Sequence, residues 1–285
     1  MHLNLGDLIV STQVDSLIQL SESGPILHFS PANGYPSMAY RAMLEPFKES
    51  NMVVASVHRP LWQPEVKPES VASWEVFAED IINAAEKFNS SMTSIGHSMG
   101  ASALLIAASR RPELFRSLIL IEPVLVPRAA VLMLRLFSGL FPNKIPLVGK
   151  TLARVDQWPS KKAAFDHFRP KYVFENIRDK ELWDYVNHGV MERPDGSCKL
   201  VFSKAWEARC YTLVYDLWPI IARVKVPVLV VRGKNSNTLS PSMWQKLEKL
   251  SPQFERKEIA GAGHLLPFEQ PETMVSEIQN WLDNH

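Results

Sequence analysis

A serine between two glycines and a histidine in a glycine-rich loop are the residues of this chain whose types and spacing carry chemistry. Ser98 stands in Ile95-Gly96-His97-Ser98-Met99-Gly100-Ala101, a Gly-x-Ser-x-Gly pattern between an apolar run and an alanine-rich stretch. Such a pattern fits a nucleophile elbow, a sharp strand-to-helix turn that presents the serine hydroxyl in the open. Side chains two residues to either side of the serine would collide there, so Gly96 and Gly100 fit for a steric reason. A serine hydroxyl is a poor nucleophile until a base takes its proton, and that base needs an orienting partner. Of the eight histidines, His264 in Ala260-Gly-Ala-Gly-His264 has the best setting for a base. His97, inside the elbow, reads as a packing residue beside the nucleophile.

The elements around these residues put them at one edge of a sheet. Apolar runs at Ile26–Phe29, Met52–Val57, Met92–Ile95 and Leu118–Ile121 read as strands, with helices between them at Ser37–Glu49, Val71–Phe88 and Met99–Arg110. The rhythm resumes with a strand at Val226–Val231, a helix at Pro241–Leu250, a strand near Glu255–Ile259 and a helix at Pro271–Asp283. Strand-helix alternation implies an α/β fold, a mostly parallel sheet with helices on both faces. His264 then follows the last strand, at the edge where the elbow sits. Val124 to Asp216 breaks the alternation and reads as several helices separated by Pro142-Asn143, Pro146, Gly149, Trp158-Pro159 and Pro194-Asp195-Gly196. The organisation expected is a core of residues 1–123 and 217–285 with a helical cap of residues 124–216. That cap reads as a solvent-excluding lid, with an independently folding binding domain as the alternative. Val131 to Phe137 would be a greasy lining or the cap's own core; Phe137, Phe141, Trp158 and Trp183 are candidates for an apolar pocket.

On these residues the chain resembles the α/β-hydrolase superfamily, in the cap-bearing branch that includes carboxylesterases, lipases and C–C bond hydrolases. The residues that carry the resemblance are Gly96–Gly100, Gly261–His264, the segment Leu27-His-Phe-Ser-Pro-Ala-Asn-Gly-Tyr-Pro36 and Pro227-Val-Leu-Val-Val-Arg-Gly233. The resemblance implies a triad in the chain order Ser-acid-His, with Ser98 as nucleophile and His264 as general base and acid. It also implies an oxyanion hole from the backbone N–H groups of Met99 and Asn33. Two positions depart from the superfamily's pattern. Pro31-Ala32 stands where His-Gly is common, which alters the bracing of that loop and restricts its backbone angles. The loop Arg232 to Ser240, where the acid usually sits, holds no carboxylate. Asn237 occupies the likely position and would be a neutral orienter. Glu122, at the end of the strand Ser117–Ile121, is the candidate acid, as in members of the superfamily that carry their acid after this strand.

Composition bounds the rest. With 46% hydrophobic and 21% charged residues, the chain of 285 residues has ample core, and a net charge of +1 gives no global reason to expect nucleic acid. Charge is uneven: Val124 to Asp216 carries 15 Lys+Arg against 10 Asp+Glu. Such a basic segment suits an acidic substrate, an anionic surface or simply a solvated face. Cys198 and Cys210 form no disulfide framework and share no metal spacing with a histidine, so both read as free thiols. The start lacks a charged region followed by an apolar core, and Val124 to Phe141 is interrupted by Pro127, Arg128 and Arg135. Neither a secretory leader nor a transmembrane segment is expected, and a cytoplasmic location follows as the default. No dinucleotide fingerprint, phosphate loop or metal-ligand pair is apparent, so no cofactor and no metal is expected; the oligomeric state is open. Serine chemistry predicts a carboxylesterase acting on small or medium acyl esters. The alternatives are a C–C bond hydrolase of diketone-type substrates and a ligand-binding member that has lost catalysis.

Overall fold

The computed structural model describes residues 16–140 and 144–285. The amino-terminal start considered for a leader, Phe141 and the Pro142-Asn143 break lie outside the described residues. Seven strands form one sheet: β1 (Leu17–Gln19), β2 (Ile26–Ser30), β3 (Met52–Ser56), β4 (Met92–His97), β5 (Phe115–Ile121), β9 (Val228–Gly233) and β10 (Glu255–Ile259). Their spatial order is β1-β3-β2-β4-β5-β9-β10. All pair in parallel except β1, which runs antiparallel to β3 at the edge. Parallel strands covered on both faces read as unbroken apolar runs rather than alternating ones. β4 and β9 are buried along their whole length, which is why those segments look like strands in the sequence.

Helices α1 (Glu75–Ala85) and α2 (Met99–Arg110) pack one face, with α8 (Pro241–Leu250); the other face is covered in part by Arg41–Leu44 and α9 (Pro271–Leu282). α2 is buried from Met99 through Ala108, and its alanines let it lie close against the sheet. The segment expected as one helix over Ser37–Glu49 is instead a 3-10 turn, a four-residue α-helix and a second 3-10 turn. Pro46 near the start of the last turn lacks an N–H, so the ladder cannot run through it. The helix expected over Val71–Phe88 shortens to α1, whose first N–H, that of Glu75, donates to the Ser73 hydroxyl at 3.3 Å.

Between β5 and β9 the chain leaves the sheet and forms α3 (Arg128–Leu140), α4 (Pro146–Ala153), α5 (Lys161–Phe168), α6 (Asp179–Gly189) and α7 (Lys204–Thr212). A small antiparallel sheet lies among these helices, made by β6 (Gln157–Trp158), β7 (Val190–Glu192) and β8 (Cys198–Leu200) in the order β6-β8-β7. Only helices are expected here from the sequence, because two- and three-residue strands carry no period to read. Arg41 Nη2 donates to Asp184 Oδ1 at 3.1 Å, tying α6 to the sheet-bound segment beneath it. Trp158 and Phe168 sit in the interior, and Trp183 stacks on Phe165 with ring centroids 4.4 Å apart. These tryptophans therefore pack the inserted segment. Phe137 is more than half exposed.

Candidate active site

The register of the sheet decides which residues meet. In the β4–β5 pair His97 stands opposite Ile121, and in the β5–β9 pair Ile121 stands opposite Val231. Ser98 and Glu122 are thus the next residues on adjacent parallel strands. The Ser98 N–H donates to the carbonyl of Ile121 at 2.9 Å, and the Glu122 N–H to that of Val231 at 2.8 Å. Both residues leave their strands with left-handed backbone angles, φ 55° at Ser98 and 51° at Glu122. Among the described non-glycine residues they are the two with positive φ. Such angles are disfavoured for side chains with a Cβ and persist where the surroundings fix them. Here the strand ladder on one side and the start of α2 on the other hold Ser98.

The two glycines of the elbow are sterically required. A Cβ on Gly96 would lie 2.6 Å from the backbone of Ala101, and one on Gly100 would lie 2.2 Å from the carbonyl oxygen of Ser30. The second contact has a chemical consequence. α2 begins hard against the loop after β2, which brings Met99 and Gly100, next to Ser98, against Ser30 and Pro31. The first N–H groups of a helix have no intrahelical acceptor and point outward from its start. Asn33 is buried, its amide donating to the carbonyl of Glu207 on α7 at 3.0 Å while its Oδ1 has no partner. Neither Pro31 nor Ala32 has a positive φ, so the loop has no need of the missing glycine.

Around Ser98 the side chains form a continuous chain of hydrogen bonds. Ser98 Oγ lies 3.1 Å from His264 Nε2, and His264 Nδ1 lies 3.1 Å from Glu122 Oε2. Glu122 is fully buried; its Oε1 accepts from the Gly233 N–H at 2.7 Å and its Oε2 from the Ser236 hydroxyl at 2.5 Å. Three partners thus converge on this one buried carboxylate. The imidazole then carries its proton on Nδ1 and offers a lone pair at Nε2 to the serine hydroxyl. Asn237, the other orienter considered, is exposed and has no hydrogen bond to His264 among the described residues. The loop after β9 reaches this chain through Ser236, one residue earlier.

Two further residues hold the arrangement, and sequence reading had no means of finding the first. The Tyr40 hydroxyl accepts from the Ala32 N–H at 3.1 Å and donates to His97 Nδ1 at 2.8 Å. The other ring nitrogen of His97 donates to the backbone carbonyl of His264 at 2.9 Å. Burial, with the neighbouring His264 adding to it, keeps His97 neutral by lowering its pKa well below the ordinary value. His97 is therefore more than packing: with Tyr40 it links the loop after β2 to the loop that carries His264. Against the loop after β2, at Asn33 and Gly34, Arg154 clasps Glu207 through both terminal nitrogens, and Glu207 also accepts from the Tyr211 hydroxyl at 3.3 Å. Burial raises the Glu207 carboxyl pKa and Arg154 opposes the rise. Ser98 itself is only 8% exposed, less open than an isolated elbow implies. Cys198 and Cys210 are free and buried, and burial pushes both thiols up. Among the described residues, no three His, Cys, Asp or Glu side chains are grouped to hold a metal ion.

A serine, a histidine and a carboxylate at the carboxyl edge of a parallel sheet, beneath an inserted segment, are consistent with what comparison finds. The model of the alpha/beta hydrolase family matches residues 36–277. The chain belongs to that family. A 2-(acetamidomethylene)succinate hydrolase of Mesorhizobium japonicum is 30% identical over 223 residues, covering 76% of this chain and 73% of that protein. Peroxisomal membrane protein LPX1 of Saccharomyces cerevisiae is 25% identical over 201 residues, which is 65% of this chain and 51% of that one. This chain thus spans about half the length of the yeast relative. The crystal structure of an E-2-(acetamidomethylene)succinate hydrolase matches with a TM-score of 0.77 and 24% identity, over 94% of each chain.

Proposed function

We propose that this protein is a serine hydrolase that cleaves small or medium carboxylic esters through an acyl-enzyme on Ser98. The observation that supports this best is the unbroken run Ser98 Oγ–His264 Nε2 and His264 Nδ1–Glu122 Oε2, each at 3.1 Å. Ser98 Oγ attacks the ester carbonyl carbon while His264 Nε2 takes its proton and Glu122 stabilises the imidazolium. The carbonyl oxygen becomes an oxyanion, held by the N–H groups of Asn33 and Met99, and removing one such donor typically costs about 10²–10³ in turnover. Collapse breaks the ester C–O bond, and the leaving alcohol takes the proton from His264. Water then attacks the acyl-enzyme, gives a proton to His264, and the carboxylic acid departs as Ser98 recovers its hydrogen. The segment 124–216 acts as the cap, excluding water and shaping the acyl pocket.

The test is a fluorophosphonate probe followed by a substrate panel. Wild-type protein should be labelled, and Ser98→Ala and His264→Ala should not be. Folded wild-type protein that takes no label would point to a binding member without catalysis. The panel sets nitrophenyl acetate and butyrate beside an acylamino dicarboxylate and a diketone-type ring-cleavage product. The dicarboxylate belongs there because the 30%-identical relative is named for one. Turnover of either last compound with negligible ester turnover would replace the ester reading and leave the Ser98 chemistry standing.

A further inference from the structure

Helix α3 carries its large apolar side chains on the outside. Leu132, Met133, Leu136 and Phe137 are each more than half exposed, whereas Val131 is buried against the body of the protein. Positions i, i+1, i+4 and i+5 share one face of a helix, so these four make one continuous strip. Leu147 on α4 is also half exposed. Beside the strip, Met133, Phe137 and Ile145 line a hollow of about 320 Å³. An exposed apolar area of this kind on a soluble fold marks a contact surface.

Charge tells what the contact is. Between Glu122 and Asp156 the sequence has no carboxylate and five cations, Arg128, Arg135, Lys144, Lys150 and Arg154. Arg154 is committed to Glu207, and Arg128 pairs with Asp216 while staying largely exposed. Arg128 and Arg135 are two helical turns apart along one border of the strip, and Lys150 is exposed on α4. A second copy docked face to face would set Arg135 and Lys150 against their counterparts, with no carboxylate on α3 or α4 to answer them. An anionic lipid surface answers both properties: the strip enters the boundary of headgroups and acyl chains, and the cations stay at the level of the phosphates. No helix among the described residues is long and apolar enough to cross a membrane; α3 has the pattern of a helix that lies in the interface.

We propose that the outer face of α3 docks this protein, reversibly and in the plane of the surface, on anionic lipid bilayers. Binding is read directly and does not rest on the Ser98 chemistry. The experiment floats the full chain with vesicles of phosphatidylcholine alone and with about 30% phosphatidylglycerol. Wild-type protein should float with the anionic vesicles at least about tenfold more than with the neutral ones, and should release in high salt. Leu132→Gln together with Leu136→Gln should lower that binding about tenfold or more at an unchanged unfolding midpoint. Arg135→Glu with Lys150→Glu, at exposed positions, guards against a misfolded apolar variant and should abolish the preference for anionic lipid. No flotation of wild type, or equal flotation of wild type and the charge-reversed variant, overturns the proposal. A concentration-dependent dimer by light scattering, lost in the leucine variant and unaffected by vesicles, would show instead that a second copy covers the strip.

Discussion

The carboxyl edge of the sheet and the outer helix of the inserted segment solve opposite problems. At the sheet edge, charged and polar groups are buried and nearly every one is answered: Glu122 has three donors, and Tyr40 and His97 each use both of their hydrogen-bonding positions. On α3, apolar groups are exposed and the protein offers them nothing. The difference teaches where specificity is spent. Buried polar groups are costly unless fully paired, so that edge has one working arrangement. An exposed apolar strip is tolerant in shape and gains only from what is placed on it.

That contrast predicts a steep hierarchy of mutational effects. The largest should come from Glu122→Gln, which keeps the size of the side chain but removes the charge assigned to imidazolium stabilisation in the proposed chemistry. An acid-to-amide change in a serine-protease triad costs about 10⁴ in turnover with geometry intact, and a loss of that order is expected in kcat, with KM little moved. A Glu122→Gln enzyme of wild-type rate would break the comparison, because the most fully bonded carboxylate of the edge would then be idle. Next is Tyr40→Phe, which leaves the Ala32 N–H and His97 Nδ1 without their shared hydroxyl. An unsatisfied buried polar group costs roughly 1–3 kcal/mol, so the unfolding midpoint should drop, and kcat should fall with the drift of His264. A variant with unchanged kcat at reduced stability would confine Tyr40 to the fold.

A third expectation concerns pH. Burial lowers the pKa of His28 to about 3 and that of His58 to about 4, and holds His97 well below its ordinary value. All three are depressed relative to about 6.5 in the unfolded chain. Their contribution is therefore complete above about pH 6.5 and is lost as pH falls, at up to about 1.4 kcal/mol per pH unit for each group. Urea midpoints should decrease from pH 6.5 to 5, and a rising midpoint over that window would contradict neutral burial. The raised carboxyls of Asp80 and Glu207 work in the opposite sense at lower pH. The smallest effect belongs to Asn237→Asp. An exposed position without a bond to His264 should leave kcat within about twofold of wild type, since surface changes away from buried networks are near neutral. A large gain in rate there would restore the loop after β9 as the site of the orienting group.

The central strands were legible because they are unbroken buried apolar runs, and the elbow because two glycines and a serine leave a steric signature. Glu122 could be singled out from its place at a strand end; the parallel register that sets it beside Ser98 could not, since pairing depends on which strands become neighbours. Tyr40 and Glu207 carried no local signal. Tyr40 reaches His97 from 57 residues away, and Glu207 meets Asn33 across 174, so only the folded chain brings them in. The edge strand β1, three residues long, is fixed by pairing with β3 rather than by its own sequence. Val131 to Phe137 looked equally suited to a lining or a core, and the helix instead turns most of that segment outward.

Because Ser98 and Glu122 hold matching positions at the ends of neighbouring strands, the spacing between them is governed by the sheet's own ladder and not by a surface loop. The last residue of β9 contributes one N–H and the loop after it one hydroxyl, and the outer residues of that loop, Lys234, Asn235 and Asn237, are exposed. That tip is consequently open to insertion, grafting or drift in length while the reacting atoms keep their places, a freedom that relatives with their acid on that loop do not have.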